Sequence, residues 1–335
     1  MKNRRIILKE RATGLPGPKN FELVESEAPE PAVGQVLVRN RFVSVDPAMK
    51  GWISVAKNYA SVETGATMRA FGVGEVVESR HPDFRQGDFA SGFTGWQDYG
   101  IADDSQPFFR KVDPADGPRS TALGIFGISG LTAWFGLLDI GRPKAGETLV
   151  VSTAAGAVGS AVGQIGRLKG CRTVGIAGGP AKTALCTDVF GYDAAIDYKG
   201  EKDLAGALAA ACPDGIDIYY DNVGGATLDT VMTMINLGAR IIICGTAATE
   251  SWSPPPQGMR LERAILVARA KVQGFIIFDY AERFPEALDD LRAWVKSGDL
   301  AWREEIVDGL ENAPEALASL YRGANMGRLL VRTSG

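Results

Sequence analysis

The chain has 335 residues, a formal net charge of −4, and 45% hydrophobic and 23% charged residues. That length fits about two domains, and the balance is that of a globular chain without a broad basic field for nucleic acid or an anionic membrane surface. The four cysteines, Cys171, Cys186, Cys212 and Cys244, form no C-x-x-C pair, and His81 is the one histidine, so a His/Cys zinc site and a histidine base are both unexpected.

The opening, MKNRRIILKERATG, has basic residues but no apolar run of signal-peptide length. Nowhere do about 18 apolar residues follow one another, so a cytoplasmic protein without a membrane span is expected. FELVE, GQVLVRNRFVSV and GVGEVVES read as strands, and the first 125 residues as β-rich. SRHPDFRQGD, holding His81, reads as a surface turn.

From about residue 126 strands alternate with helices. TLVVS is a short buried strand, AVGSAVGQIGRLKG a helix and CRTVGIA a second strand. A helix over AKTALCTDVFG, a strand near AAIDY and a helix over EKDLAGALAAAC follow. Next come a strand in IDIYYDNVG, a helix over TLDTVMTMINLG and a strand in RIIICG. ARAKVQGFIIFDY reads as a further strand, FPEALDDLRAWVKSG as an amphipathic helix, and LLVR as a last strand that returns to the first domain. ESWSPPPQGM (250–259) reads as a loop. Such alternation implies a parallel sheet with helical crossovers. The fold class is α/β, with the cysteines as small buried hydrophobes.

The stretch STAAGAVGSAVG holds an A-x-G-x-x-G spacing between a strand and a helix, with Ala154 where a first glycine is usual. Gly156 lets the backbone approach a pyrophosphate, Gly159 lets the helix lie close to the sheet, and the helix N-terminus favours the anion. A tight strand–helix turn uses the same small residues for steric reasons alone. An NAD site carries an acid about 20 residues on, at the end of the second strand. Here that strand ends VGIAGGPAK: Gly178 and Gly179 leave room, and Lys182 brings a cation where the acid is missing, which suits a 2′-phosphate. Tyr198 in IDYKG is a second candidate for that phosphate. A lysine on a solvated helix face is the plain alternative for Lys182.

The stretch from STAAGAVG to GGPAK, with DNVGG (221–225), IIICG (241–245) and GANMGR (323–328), resembles the zinc-independent medium-chain dehydrogenase/reductases. SVDPAMKGW (44–52), FGVGEVVES (71–79) and GISGLTAWFGL (127–137) narrow the likeness to the leukotriene B4 dehydrogenase/prostaglandin reductase branch, with its alkenal and curcumin reductases. The resemblance implies a GroES-like β-rich catalytic domain (1–125 and 299–335), a Rossmann NADP-binding domain (126–298), an active-site cleft between them, and a homodimer. It puts Gly156, Ala157, Val158 and Gly159 at the pyrophosphate and Lys182 and Tyr198 at the 2′-phosphate. Asn222 faces the cofactor, Cys244 and Gly245 line the nicotinamide half, Phe275 and Ile277 lie beside the carboxamide, and Asn325 reaches back from the tail. Two tyrosines of plant and mammalian members are replaced, by Ala48 and Val267; Tyr59 in AKNYAS is the proton-donor or oxyanion candidate instead, or an aromatic at a cleft rim.

Without zinc there is no Lewis acid for a simple ketone, whereas an α,β-unsaturated carbonyl can take hydride at its β-carbon and spread the charge onto oxygen. The expected activity is NADPH-dependent reduction of the double bond of enones and enals. Met49, Trp52, Tyr59, Trp96 and the 250–259 loop are candidates for shaping the small-molecule cleft, although aromatics at such positions more often serve the core. Quinone reduction needs the same hydride donor, and a non-catalytic NADPH-binding protein would also account for the missing tyrosines. A secondary-alcohol or carbonyl reductase fits less well, because the zinc that would polarise its substrate is missing. KVQGFIIFDY could pair across a dimer axis or form an internal edge.

Overall fold

A computed structural model describes residues 1–55, 60–249, 254 and 256–333. Two units result, Met1–Gly127 with Glu304–Gly335, and Ile128–Arg303.

In the first unit, strands β1 (Lys2–Leu8) and β2 (Phe21–Glu27) pair antiparallel. There follow β3 (Gln35–Ser44), the short helix α1 (Met49–Ile53), β4 (Gly72–Ser79), β5 (Phe89–Gly92), β6 (Tyr99–Asp103) and β7 (Arg110–Lys111). Alternating apolar residues of these strands close over a core that takes in Met49, Trp52 and Trp96. These three are at most 1% exposed, and the Trp96 Nε1–H donates to the Ser44 carbonyl at 2.9 Å, so they fill the core rather than line a cleft.

His81 also departs from expectation: the turn forms, but the imidazole is buried in it. The Asp83 N–H donates to Nδ1 at 3.1 Å, which leaves Nε2 as the protonated nitrogen facing Asp104 Oδ2 at 2.9 Å. Phe84 and Phe109 meet the ring edge-on. The histidine pins a turn.

The second unit opens with α2 (Ile128–Phe135) and continues as β8 (Thr148–Ser152), α3 (Ala157–Leu168), β9 (Arg172–Ala177), α4 (Pro180–Ala184) and β10 (Ala194–Asp197). Then come α5 (Leu204–Ala211), β11 (Ile216–Asp221), α6 (Gly225–Val231), β12 (Ile235–Ile243), α7 (Glu262–Ala268), β13 (Lys271–Gly274) and α8 (Phe284–Ser297). Among the described residues the six strands form one parallel sheet in the order β10-β9-β8-β11-β12-β13. The order reverses between β8 and β11, and in a doubly wound sheet ligands bind at the carboxyl ends beside that reversal. β8 is buried along its whole length, as a central strand requires.

Three sequence expectations change here. The helix expected over 227–238 ends at Val231, and Ile235 already pairs with Ile216. Gly238, at φ +79°, lies in an irregular step before the pairing resumes at Arg240. The strand expected over 268–280 is the end of α7, a four-residue strand and a 3₁₀ turn over Ile277–Arg283, because β12 offers no partner past Ile243. The helix expected over 181–191 keeps its regular form only through Ala184, and its next turn is a wider π turn over Leu185–Val189.

The chain then re-enters the first unit as β14 (Glu304–Asp308), α9 (Ala313–Arg322) and β15 (Arg328–Arg332). β15 pairs with β14 and, antiparallel, with β3, completing the order β14-β15-β3-β4-β5-β7 with β6 on β3. No helix among the described residues is long and apolar enough to cross a membrane.

Candidate functional site

The carboxyl ends of β8, β11 and β12 gather the largest group of the residues singled out above. After Ser152 the chain turns sharply: Thr153 takes φ +54°, unusual for a β-branched residue, and its carbonyl accepts the Gly156 N–H at 2.9 Å. α3 starts immediately beyond, with Gly156 at its N-cap and Ala157 and Val158 in its first turn. A Cβ on Gly159 would lie 2.3 Å from the Thr153 carbonyl oxygen and 2.9 Å from Ala154 Cα, so only glycine lets the helix sit this close to the turn. The first-turn N–H groups of α3 therefore stand at the switch point, a place suited to phosphate.

Across the reversal, the Asn222 Nδ2–H donates to the Ser152 carbonyl at 2.8 Å, and the Asn222 N–H donates to Ser152 Oγ at 2.8 Å. Cys244 and Gly245 follow β12, and both their N–H groups donate to the Asp221 carbonyl, at 2.8 and 3.0 Å. Burial pushes the Cys244 thiol up to about 12, which favours its protonated form. The thiols of Cys171, Cys186 and Cys212 are raised by burial too, in keeping with packing roles. Phe275 packs near Gly136 and Tyr280 in the same unit, and Ile277 is buried.

On the other side of α3, Gly178 and Gly179 follow the end of β9, with Lys182 half-buried on α4. Gly179 has φ +90°, open to glycine and strained for other residues. Tyr198 and Lys199 fold over Gly178: a Cβ there would meet Tyr198 Cε1 at 2.9 Å and Lys199 Cε at 3.0 Å. Lys182, Tyr198 and Lys199 thus border one loop. Asp197 ties it together, its Oδ1 accepting the N–H of Gly179 at 2.6 Å and of Lys199 at 3.0 Å. The hydrogen bond from Gly179 lowers the Asp197 carboxyl below its ordinary value. Sequence reasoning missed Asp197 and Lys199; the run IDYKG that holds both was the available signal.

Two candidates stand apart. Asn325 belongs to the first unit, where its Nδ2–H donates to the Gly327 carbonyl at 3.0 Å. Tyr59 lies outside the described residues, as does part of the 250–259 loop. Ala48 and Val267, the two positions at which the resemblance led to an expectation of tyrosine, are exposed.

Residues 4–109 match the family model described as the N-terminal domain of oxidoreductase, and residues 157–293 the model described as zinc-binding dehydrogenase. The donor set that the second description calls for is not assembled: among the described residues no group of three or more His, Cys, Asp and Glu could hold a metal ion. The NADPH-dependent curcumin reductase of Escherichia coli is 45% identical, over 100% of this chain and 98% of its own length. The 2-alkenal reductase (NADP(+)-dependent) of Nicotiana tabacum is 37% identical over 99% of this chain and 98% of its own length. The crystal structure of CurA from Vibrio vulnificus in complex with NADPH superposes with a TM-score of 0.93 at 44% identity, covering 99% of both chains. With full-length relatives at such identity, the chain belongs to the medium-chain dehydrogenase/reductases, in the zinc-independent branch of the prostaglandin, alkenal and curcumin reductases.

Proposed function

We propose that the protein is an NADPH-dependent reductase of the carbon–carbon double bond of α,β-unsaturated ketones and aldehydes, working as a homodimer. The observation that carries this reading is the glycine-lined turn after β8, facing a β9 loop that has no acid and is bordered by Lys182, Tyr198 and Lys199. That arrangement suits a dinucleotide bearing a 2′-phosphate. The enone class is supported by the activities of the curcumin and alkenal reductase relatives and by the (+)-pulegone reductase of Mentha piperita, 36% identical over 92% of this chain.

In this reading Gly156, Ala157, Val158 and Gly159 hold the pyrophosphate through backbone N–H groups, and Lys182 and Tyr198 hold the 2′-phosphate. Asn222, Cys244, Gly245, Phe275 and Ile277 border the nicotinamide half, and Asn325 contributes from the tail. When bound, NADPH supplies the hydride. The chain's task is to fix the acceptor carbon in line and to set a hydrogen-bond donor at the carbonyl oxygen where charge develops. Tyr59 is the proposed donor, with water or the tyrosine completing the α-carbon.

The test follows oxidation of NADPH by an enone, an enal, a quinone and a saturated ketone, with the products identified. Saturated carbonyl products from the enone and enal, and no turnover of the saturated ketone, are expected. Fast quinone turnover with inert enones would move the protein to quinone reduction. Tight NADPH binding without oxidation by any acceptor would end the enzyme reading.

A further inference from the structure

We propose that Asp221 is a positioning residue: it holds the chain ends beyond β8, β11 and β12 in one frame and so governs the grip on the nicotinamide half of the cofactor. This rests on the NADPH reading above. Asp221 is 0% exposed, at the last position of β11, where the sheet order reverses. Its Oδ1 accepts the N–H of Val223 at 2.9 Å and of Gly224 at 2.8 Å, so two successive amides of the following turn point back to one oxygen. The hydroxyls of Tyr219 and Ser152 donate to the same oxygen at 3.0 and 3.2 Å.

Its main-chain carbonyl takes the Cys244 and Gly245 N–H groups, which binds the end of β12 to the end of β11. Ser152 extends the frame to β8, because its Oγ accepts the Asn222 N–H while donating to Asp221. The two loops also join directly: Ala247 and Ala248 donate to the carbonyls of Asn222 and Val223 at 3.3 and 3.0 Å. The second carboxyl oxygen, Oδ2, is buried with no hydrogen-bond partner among the described residues. A buried carboxyl is costly, and its cost here is offset by ordering donors from the end of β8 and from the turn after β11, while the main-chain carbonyl of the same residue holds β12.

The frame lies on one side only. It fixes residues 222–224 and 244–248, whereas Asp197 on β10 holds the Gly179 and Lys199 amides and the Tyr198 N–H donates to the Ala177 carbonyl. The two halves of the dinucleotide are therefore held by separate networks, and a fault in the Asp221 frame should weaken one half alone.

The experiment measures dissociation constants of NADPH and of 2′,5′-ADP, which carries the adenine half and the 2′-phosphate, for the full chain and its D221N and S152A variants. D221N keeps one acceptor oxygen but loses the charge that strengthens four hydrogen bonds. S152A removes the hydroxyl shared by Asn222 and Asp221 with little change of volume, and serves if D221N does not fold. NADPH is expected to bind about fivefold or more weakly in each soluble variant, with 2′,5′-ADP unchanged within about twofold. Parallel weakening of both ligands, or no weakening of either, overturns the positioning role. If the unaltered chain binds neither NADPH nor 2′,5′-ADP, the NADPH reading itself fails.

Discussion

Lys182 carries the clearest single-residue expectation. It sits on α4 beside a loop whose glycines leave a space that Tyr198 and Lys199 border. A point charge beside a 2′-phosphate matters for NADPH and not for NADH, which lacks that group. Lys182→Ala should therefore raise KM for NADPH about tenfold with kcat unchanged, and leave NADH kinetics as they were. Equal losses with both cofactors would assign Lys182 to the helix surface instead. The missing acid after β9 was legible from the sequence, because cofactor acids sit at a fixed place in the strand order. Asp197 was not, because its contact with Gly179 joins the end of β10 to the end of β9, a relation set by the sheet rather than by spacing. The burial of His81 was hidden for the same reason: Asp104 and Phe109 come from more than twenty positions further on.

Elements with a central place in the sheet were easiest to read. β8 and α3 match their expected bounds closely, because an all-apolar strand followed by a small-residue turn leaves few alternatives. VMTMINLG misled because its apolar residues suit either period, and the choice was made by Ile235 pairing with Ile216. The next strand residues depend on a charged tie. From β12, Arg240 grips Glu147, just ahead of β8, with both guanidinium ends and also donates to the Gly141 carbonyl at 2.7 Å. Burial works against the Glu147 charge, but the hydrogen bonds from Arg240 and from the Lys144 N–H win, and its carboxyl lies below the ordinary value. A folded value below the unfolded one gives stability that is full above the unfolded value and is lost as pH falls through the folded value. Glu147→Gln should cost about 1–2 kcal/mol at neutral pH, less than a fully buried pair because both partners keep some exposure. Urea unfolding of both proteins should show that gap closing in acid; a gap that persists there would mean lost packing, not lost charge.

At the scale of the whole molecule, the sequence could suggest two units, since the rhythm changes from β-rich to alternating near residue 126. Its large apolar residues were open to two readings: Met49, Trp52 and Trp96 were candidates for a cleft or for the core, and a β-rich unit of this size takes them for its own core. The homodimer can be argued from the free side of the parallel sheet. β13 pairs with β12 on one side and has no strand partner on the other among the described residues. All four of its residues are exposed, including Val272, and Leu266 and Val267 on the adjoining α7 are 75% and 62% exposed. An unpaired edge beside apolar side chains is a liability in a monomer unless a second surface covers it. Two copies meeting at β13 around a twofold axis would satisfy the edge with an identical edge. Replacing Val272 with Lys puts a charge on the edge without touching the cofactor turns, so light scattering should report a dimer for the unaltered chain and a monomer for V272K, with NADPH affinity retained. A V272K protein that stays dimeric would move the contact away from β13, and a monomeric unaltered chain would remove the dimer from the reading.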